Sequence, residues 1–132
     1  MQITFARSGG FPGALRNVKG TIQLENGQGV LTSDGSYRRD LTPAETSQIR
    51  AGADPEELAK AARKIAARTA RSADLDHFEI NVTTKDGKSR RISLNSSLSS
   101  NELQGVPPEV ISFLRWLQEA AQAILTHRVS GK

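Results

Sequence analysis

Residues 77–94 read HFEINVTTKDGKSRRISL, and this stretch decides the fold. Apolar and polar residues alternate through both of its halves, with the period of strands that bury one face. Between the halves, residues 85–88 (KDGK) are typical of a tight turn. The stretch therefore predicts an antiparallel β-hairpin. Its inward-facing side chains are Phe78, Ile80, Val82, Ile92 and Leu94.

Two earlier segments show the same alternation, at residues 2–7 and 18–25. Residues 26–29 (NGQG) indicate a turn after the second segment, and a weaker extended segment is expected at residues 37–41. Together with the hairpin, these segments predict four to five short strands. The inward-facing residues of the first two segments are Ile3, Phe5, Val18, Ile22 and Leu24.

Two helix start signals follow in the middle of the chain. Residues 42–45 (TPAE) combine an N-cap threonine with proline at the first helical position and glutamate at the third. This helix is expected to end near Gly52. Residues 54–57 (DPEE) repeat the signal, and the second helix is expected to run to about Arg71.

The last helix begins at residues 106–109 (VPPE) and carries a wide apolar stripe. Residues 126–132 are predicted to form a flexible tail. Strands followed by helices in this order predict an α+β fold, an antiparallel sheet of four to five strands with about three helices covering one face. The other face of the sheet is expected to be polar. The stripe consists of Val110, Phe113, Leu114, Leu117, Ala121, Ile124 and Leu125.

Length and composition predict one domain over residues 1–132. The chain has no cysteine, which excludes disulfides, a thiolate nucleophile and cysteine-based zinc sites. No apolar run approaches the ~20 residues of a membrane span, and no signal peptide is visible at the N-terminus. A cytoplasmic protein without membrane contact is therefore expected.

The chain offers few residues for catalysis or metal binding. Its two histidines are His77 and His127, and only His77 has acidic neighbours, at Asp74 and Asp76. These residues offer only two types of ligand and lie in the loop before a strand, which is a weak pattern for a metal site. A role in capping or in a turn fits them better. No triad spacing or phosphate-binding glycine motif occurs. The sequence therefore predicts no enzymatic activity, no metal and no cofactor.

The second helix carries a cluster of basic residues opposite its apolar face. With a net charge of +4, this cluster permits an acidic partner such as nucleic acid. The polar face of the predicted sheet, however, has no aromatic residue on which bases could stack. A basic binding module for nucleic acid or another acidic partner therefore stays the alternative, and the lack of stacking residues argues against nucleic acid. The cluster consists of Lys60, Arg63, Lys64, Arg68 and Arg71.

A glycine-rich loop follows the first strand, at residues 8–13 (SGGFPG). Its glycines permit close approach of the backbone, its proline stiffens the chain, and Phe11 is its one large side chain. Phe11 either contacts a partner or packs into the core, and the loop carries no catalytic residue type. The candidate contact residues here are Ser8, Gly9, Gly10, Phe11, Pro12 and Gly13.

This opening resembles the emfourin family, small bacterial proteins that inhibit thermolysin-like zinc metallopeptidases, protealysin among them. The resemblance joins the strand ITFxR at residues 3–7 to the loop SGGFxG. It continues in order through residues 78–82 (FEINV), 91–94 (RISL) and 106–110 (VPPEV), whereas residues 26–73 lie outside it. It implies an intracellular protein without a cofactor, with a peptidase as its partner.

The resemblance also implies what the partner recognises. Enzymes of this class favour a large apolar side chain just after the scissile bond, and Phe11 is the residue that would fill that pocket. A competitive inhibitor needs a stiff loop already in its bound shape. The turn at Asp86 and Gly87 and the serine-rich residues 95–105 are the other segments that could insert.

Overall fold

The computed structural model describes residues 1–9, 17–33, 37–68, 76–96, 98 and 100–130. These residues form six strands in one antiparallel sheet, of order β4-β3-β2-β1-β5-β6, and three helices. The predicted α+β class is therefore confirmed. The elements in chain order are β1 (Gln2–Gly9), β2 (Val18–Glu25), β3 (Gln28–Ser33), β4 (Arg38–Asp40), α1 (Pro43–Gly52), α2 (Pro55–Arg68), β5 (Asp76–Thr83), β6 (Ser89–Ser96) and α3 (Pro108–Ser130).

Strand β3 is the element that the sequence analysis missed, because it assigned all of residues 26–29 to a turn. The turn needs only Asn26 and Gly27, which both have positive φ, 52° and 77°. Two consecutive residues with positive φ are the pattern of a two-residue hairpin turn whose twist matches that of the strands. Pairing therefore resumes at Gln28, which lies opposite Glu25.

One face of the sheet is covered by the helices and forms the core. The register places Phe5 between Gly20 of β2 and Ile80 of β5, all three on this face. Helix α3 packs under β2, α1 under β3 and α2 under β6. The predicted inward positions are confirmed, since each of these side chains is at most 4% exposed: Ile3, Phe5, Val18, Ile22, Leu24, Phe78, Ile80, Val82, Ile92 and Leu94.

Helices α1 and α3 cross at Gly52. A Cβ atom at this position would lie 2.2 Å from the carbonyl oxygen of Glu109 and 2.5 Å from Cβ of Phe113. Both distances are far below van der Waals contact, so the crossing requires a residue without a side chain. The end of α1 predicted near Gly52 thus coincides with the point where the two helices come closest.

The start of α1 is held by the predicted capping box. The amide of Glu45 donates to the Thr42 hydroxyl at 3.1 Å, and the amide of Thr42 donates to the Glu45 carboxylate at 3.1 Å. The same carboxylate accepts two bonds from Arg39 of β4, at 2.9 and 3.0 Å, and one from Nε1 of Trp116 at 2.9 Å. These donors, Arg39 foremost, lower the pKa of Glu45 to about 2. One side chain therefore links β4, α1 and α3.

Helix α3 extends further than predicted. A flexible tail was expected from residue 126, but the helix continues to Ser130. Its last turns have a partner outside the helix, because the ring of His127 meets the ring of Tyr37 edge to face, with centroids 5.1 Å apart. Among the described residues, no helix is long and apolar enough to cross a membrane.

Helix α2 presents the predicted two faces. Leu58, Ala61 and Ile65 are at most 2% exposed, whereas Lys60, Arg63 and Lys64 are exposed. The helix is described as far as Arg68, so its expected end near Arg71 lies outside the described residues.

Candidate functional site

The loop at residues 8–13 is only partly described. Ser8 and Gly9 are the last residues of β1 and pair with His77 and Asp76 of β5. Gly10, Phe11, Pro12 and Gly13 lie outside the described residues, so the predicted role of Phe11 stays a prediction.

The turn at Asp86 and Gly87 lies at the opposite end of the sheet. Strands β1 and β5 are antiparallel, with Ser8 opposite His77 and Gln2 opposite Thr83, the residue that leads into the turn. At a rise of ~3.4 Å per residue, the six steps along β5 from His77 to Thr83 separate the two ends by roughly 20 Å. Ser8 and Gly9, the described part of the first candidate segment, therefore do not adjoin the turn.

The turn at residues 84–88 is closed by its own hydrogen bonds. The amide of Thr84 donates to the Lys88 carbonyl oxygen at 2.8 Å, and the amide of Gly87 donates to the Thr84 carbonyl oxygen at 3.0 Å. Gly87 has φ +86°, which a residue with a side chain rarely adopts. The Asp86 carboxylate accepts bonds from the Thr84 hydroxyl and the Lys88 amide, and both lower the pKa of Asp86. The turn thus presents an ionised carboxylate between two lysines.

A row of polar side chains crosses the open face near Ser8. Nδ1 of His77 lies 2.7 Å from Oδ1 of Asn95, and Nε2 of His77 lies 3.7 Å from Oε1 of Glu79. Arg91 donates to Glu79 at 2.8 Å, and this bond is the main reason that the pKa of Glu79 is lowered. The sequence analysis did not single out this row, although the alternation that buries Ile80 also places Glu79 outward.

The open face forms a shallow depression of about 560 Å³ at its centre. Among the residues that line it are Thr4, Thr21 and Thr32, which lie side by side across β1, β2 and β3. No aromatic ring projects into it from the described open face; Phe5 contributes from the covered side. The surface offers hydrogen bonds and has no platform for stacking nucleic-acid bases.

The described residues contain no group of three or more His, Cys, Asp or Glu side chains placed to hold a metal ion. His77, the histidine with acidic neighbours in the sequence, contacts the side chains of Asn95 and Glu79. Asp74 lies outside the described residues.

Comparisons with known proteins name no family for this chain. No protein-family model matches the sequence, and a search of the curated proteins finds no match.

Proposed function

We propose that the protein binds and inhibits a thermolysin-like zinc metallopeptidase, with the loop that begins at Ser8 as the inserting segment. The observation that carries this proposal is the position of the loop sequence SGGFPG at the end of β1. The sequence resemblance to emfourins begins in the same strand. The protein acts by occupying the active-site cleft, performs no catalysis itself, and works in the bacterial cytoplasm beside its target.

Strand β1 suits the task of presenting a loop. It lies between β2 and β5, and its pairing with β5 continues without a break from Gln2 to Gly9. Arg7, directly before the loop, is 2% exposed on the covered face. The first two residues of the loop segment, Ser8 and Gly9, are thus already held by the sheet, which reduces the conformational entropy that they lose on binding.

Charge distinguishes the two candidate loops. The turn at Asp86 carries an ionised carboxylate beside Lys85 and Lys88, so its insertion into a cleft would remove three charges from water. The loop at residues 8–13 has no charged side chain and carries Phe11. An apolar pocket therefore favours the loop at the end of β1.

The proposal is tested by measuring inhibition of thermolysin together with melting temperature. Phe11→Ala is expected to weaken inhibition at least tenfold and to leave the melting temperature nearly unchanged, because an exposed anchor supports binding and not folding. Asp86→Ala, at the other end of the sheet, is the matched control and should inhibit like the wild type. If Phe11→Ala lowers the melting temperature by several degrees and inhibits normally, Phe11 belongs to the core and the loop is not the site.

Nucleic acid is the alternative partner, because Lys60, Arg63 and Lys64 are exposed on α2. A gel shift with mixed DNA and RNA separates the two ideas. Failure of the wild type to inhibit thermolysin-like enzymes, combined with tight, salt-dependent binding to nucleic acid, would overturn the proposal.

A further inference from the structure

The two edges of the sheet differ in length and in protection. The β4 edge has three residues, Arg38–Asp40, and two of them are exposed and charged. The β6 edge has eight residues, contains no proline, and pairs with β5 without a bulge from Ser89 to Ser96. Short length, prolines and bulges are the usual means by which an edge strand is kept from pairing with another chain. The β6 edge has none of them.

The hairpin turn determines which groups of β6 point outward. Because the Thr84 amide donates to the Lys88 carbonyl oxygen, residues 84 and 88 form a hydrogen-bonded pair. Hydrogen-bonded and non-bonded pairs alternate along an antiparallel ladder. Within the described chain, no other backbone hydrogen bond reaches the outward groups. The residues whose N–H and C=O groups point away from β5 are therefore Ser89, Arg91, Ser93 and Asn95.

The two arginines of β6 do not protect the edge either. Arg90 donates to Glu56 of α2 at 2.6 Å, below the sheet, and Arg91 donates to Glu79 at 2.8 Å, on the open face. Each guanidinium is thus held over one face of the sheet by a carboxylate. Both arginines are therefore paired with carboxylates over the faces of the sheet and not with groups at its edge.

Helix α2 provides a basic flank next to this edge. It packs under β6, the last strand of the sheet, and Lys64 on one flank donates to the Gly105 carbonyl oxygen, in the segment that leads into α3. Arg63 and Ala66 are three residues apart and lie on the side of the helix away from Lys64, whereas Ala59 on the same side is buried. Arg63 and Ala66 are exposed, and Arg63 has no ion-pair partner among the described residues.

We propose that the outer edge of β6, together with the Arg63 flank of α2, binds an extended acidic segment of a partner protein as a seventh strand. The outward N–H and C=O groups supply the ladder. The small, exposed side chain of Ala66 leaves room for side chains on the covered side, and Arg63 favours acidic ones. A second copy of this chain would place its own Arg63 flank against the first, which disfavours self-pairing.

The first test uses a capped, fluorescein-labelled eight-residue peptide that alternates valine and glutamate, measured by fluorescence anisotropy. Two control peptides separate the contributions: valine alternating with lysine reverses the charge, and N-methylation of alternate residues removes the donors that a ladder needs. Both controls are expected to bind at least tenfold more weakly. Equal binding of the lysine peptide, or of the N-methylated one, would contradict the proposal.

The second test changes the protein. Ser93→Pro removes an outward N–H without removing a bond to β5, and Ser93→Thr is its control. Arg63→Glu reverses the charge of the flank, and Arg115→Glu makes the same change at an exposed site on α3. Ser93→Pro and Arg63→Glu should each lose at least tenfold in affinity, and both controls should bind normally.

Two outcomes would overturn the proposal. Normal binding by both Ser93→Pro and Arg63→Glu excludes this edge. A wild-type dimer in analytical ultracentrifugation that Ser93→Pro dissociates assigns the edge to a second copy. If circular dichroism finds Ser93→Pro unfolded, Arg63→Glu and the N-methylated peptide, both measured with folded protein, decide the question.

Discussion

The two faces of the sheet are built from alternate residues of the same strands but serve different purposes. On the covered face of β5, Phe78 and Ile80 are at most 2% exposed, while Glu79 between them lies among polar groups on the open face. The covered face supplies the burial that stabilises the fold. The open face and the sheet's edges and ends are free to contact other molecules. Substitutions on the covered face should therefore lower the stability of the fold. Substitutions on the open face should change stability little and instead affect contacts with other molecules.

The sharpest form of this comparison uses two adjacent residues of β5. Phe78→Ala should lower the free energy of unfolding by about 3–5 kcal/mol, because it leaves a cavity in the core. Glu79→Ala should leave the free energy of unfolding nearly unchanged, because it removes only exposed ion pairs. Urea denaturation monitored by circular dichroism measures both. Similar losses for the two variants would refute the assignment of faces.

A second prediction concerns how closely the helical layer is packed. Gly52→Ala should lower the free energy of unfolding by about 1–3 kcal/mol, because the added Cβ meets the backbone of α3 at Glu109. Ser47→Ala, at an exposed position on the same helix, is the control and should be nearly neutral. A neutral Gly52→Ala would mean that α1 and α3 are not in close contact at this crossing.

A third prediction concerns the carboxylate that joins β4, α1 and α3. Because the pKa of Glu45 is lowered to about 2 from an ordinary 4.5, its stabilising contribution is complete above pH 4.5 and is lost as the pH falls toward 2. Glu45→Gln should lower the free energy of unfolding by about 1–2 kcal/mol at pH 7. The difference between variant and wild type should shrink between pH 4.5 and pH 2. Urea titrations at pH 7, 4 and 2.5 measure it, and a constant difference would contradict the role of the charge.

The smallest effect on stability is expected on α2. Replacing Lys60, Arg63 and Lys64 by glutamine should change the free energy of unfolding by less than about 0.5 kcal/mol, since exposed charges contribute little. A thermal melt checks this. A loss above about 2 kcal/mol would mean that these basic residues stabilise the fold and do not simply face solvent or a partner.

Much of the fold could be predicted from local sequence. The alternation of residues 77–94 and the capping box at Thr42 are local signals, and both appear in the structure as expected. Strand β3 was missed because its residues, QGVLTS, alternate weakly and have a glycine in second position, close to a turn. Pairing with β2 on one side and β4 on the other makes this segment a strand, and pairing is not a local property.

The placement of the candidate sites was less predictable. That Ser8 and Asp86 lie at opposite ends of the sheet depends on the antiparallel pairing of β1 with β5, which joins distant parts of the chain. The contact of Glu45 with Trp116 likewise links residues 71 positions apart. The exposed edge of β6 follows from the order of the strands, which alternation alone does not give.

The central position of β1 also governs the order in which the protein can assemble. Strands β1 to β4 follow one another along the chain and can pair as soon as they are made, whereas β5 begins only at Asp76. Until then, the side of β1 that will receive β5 has no partner. Bringing these two strands together costs chain entropy, because a long segment separates them and their contacts form only after they meet. The pairing of β1 with β5 joins parts of the sheet that are distant in the chain, and we expect it to be the step that slows folding most.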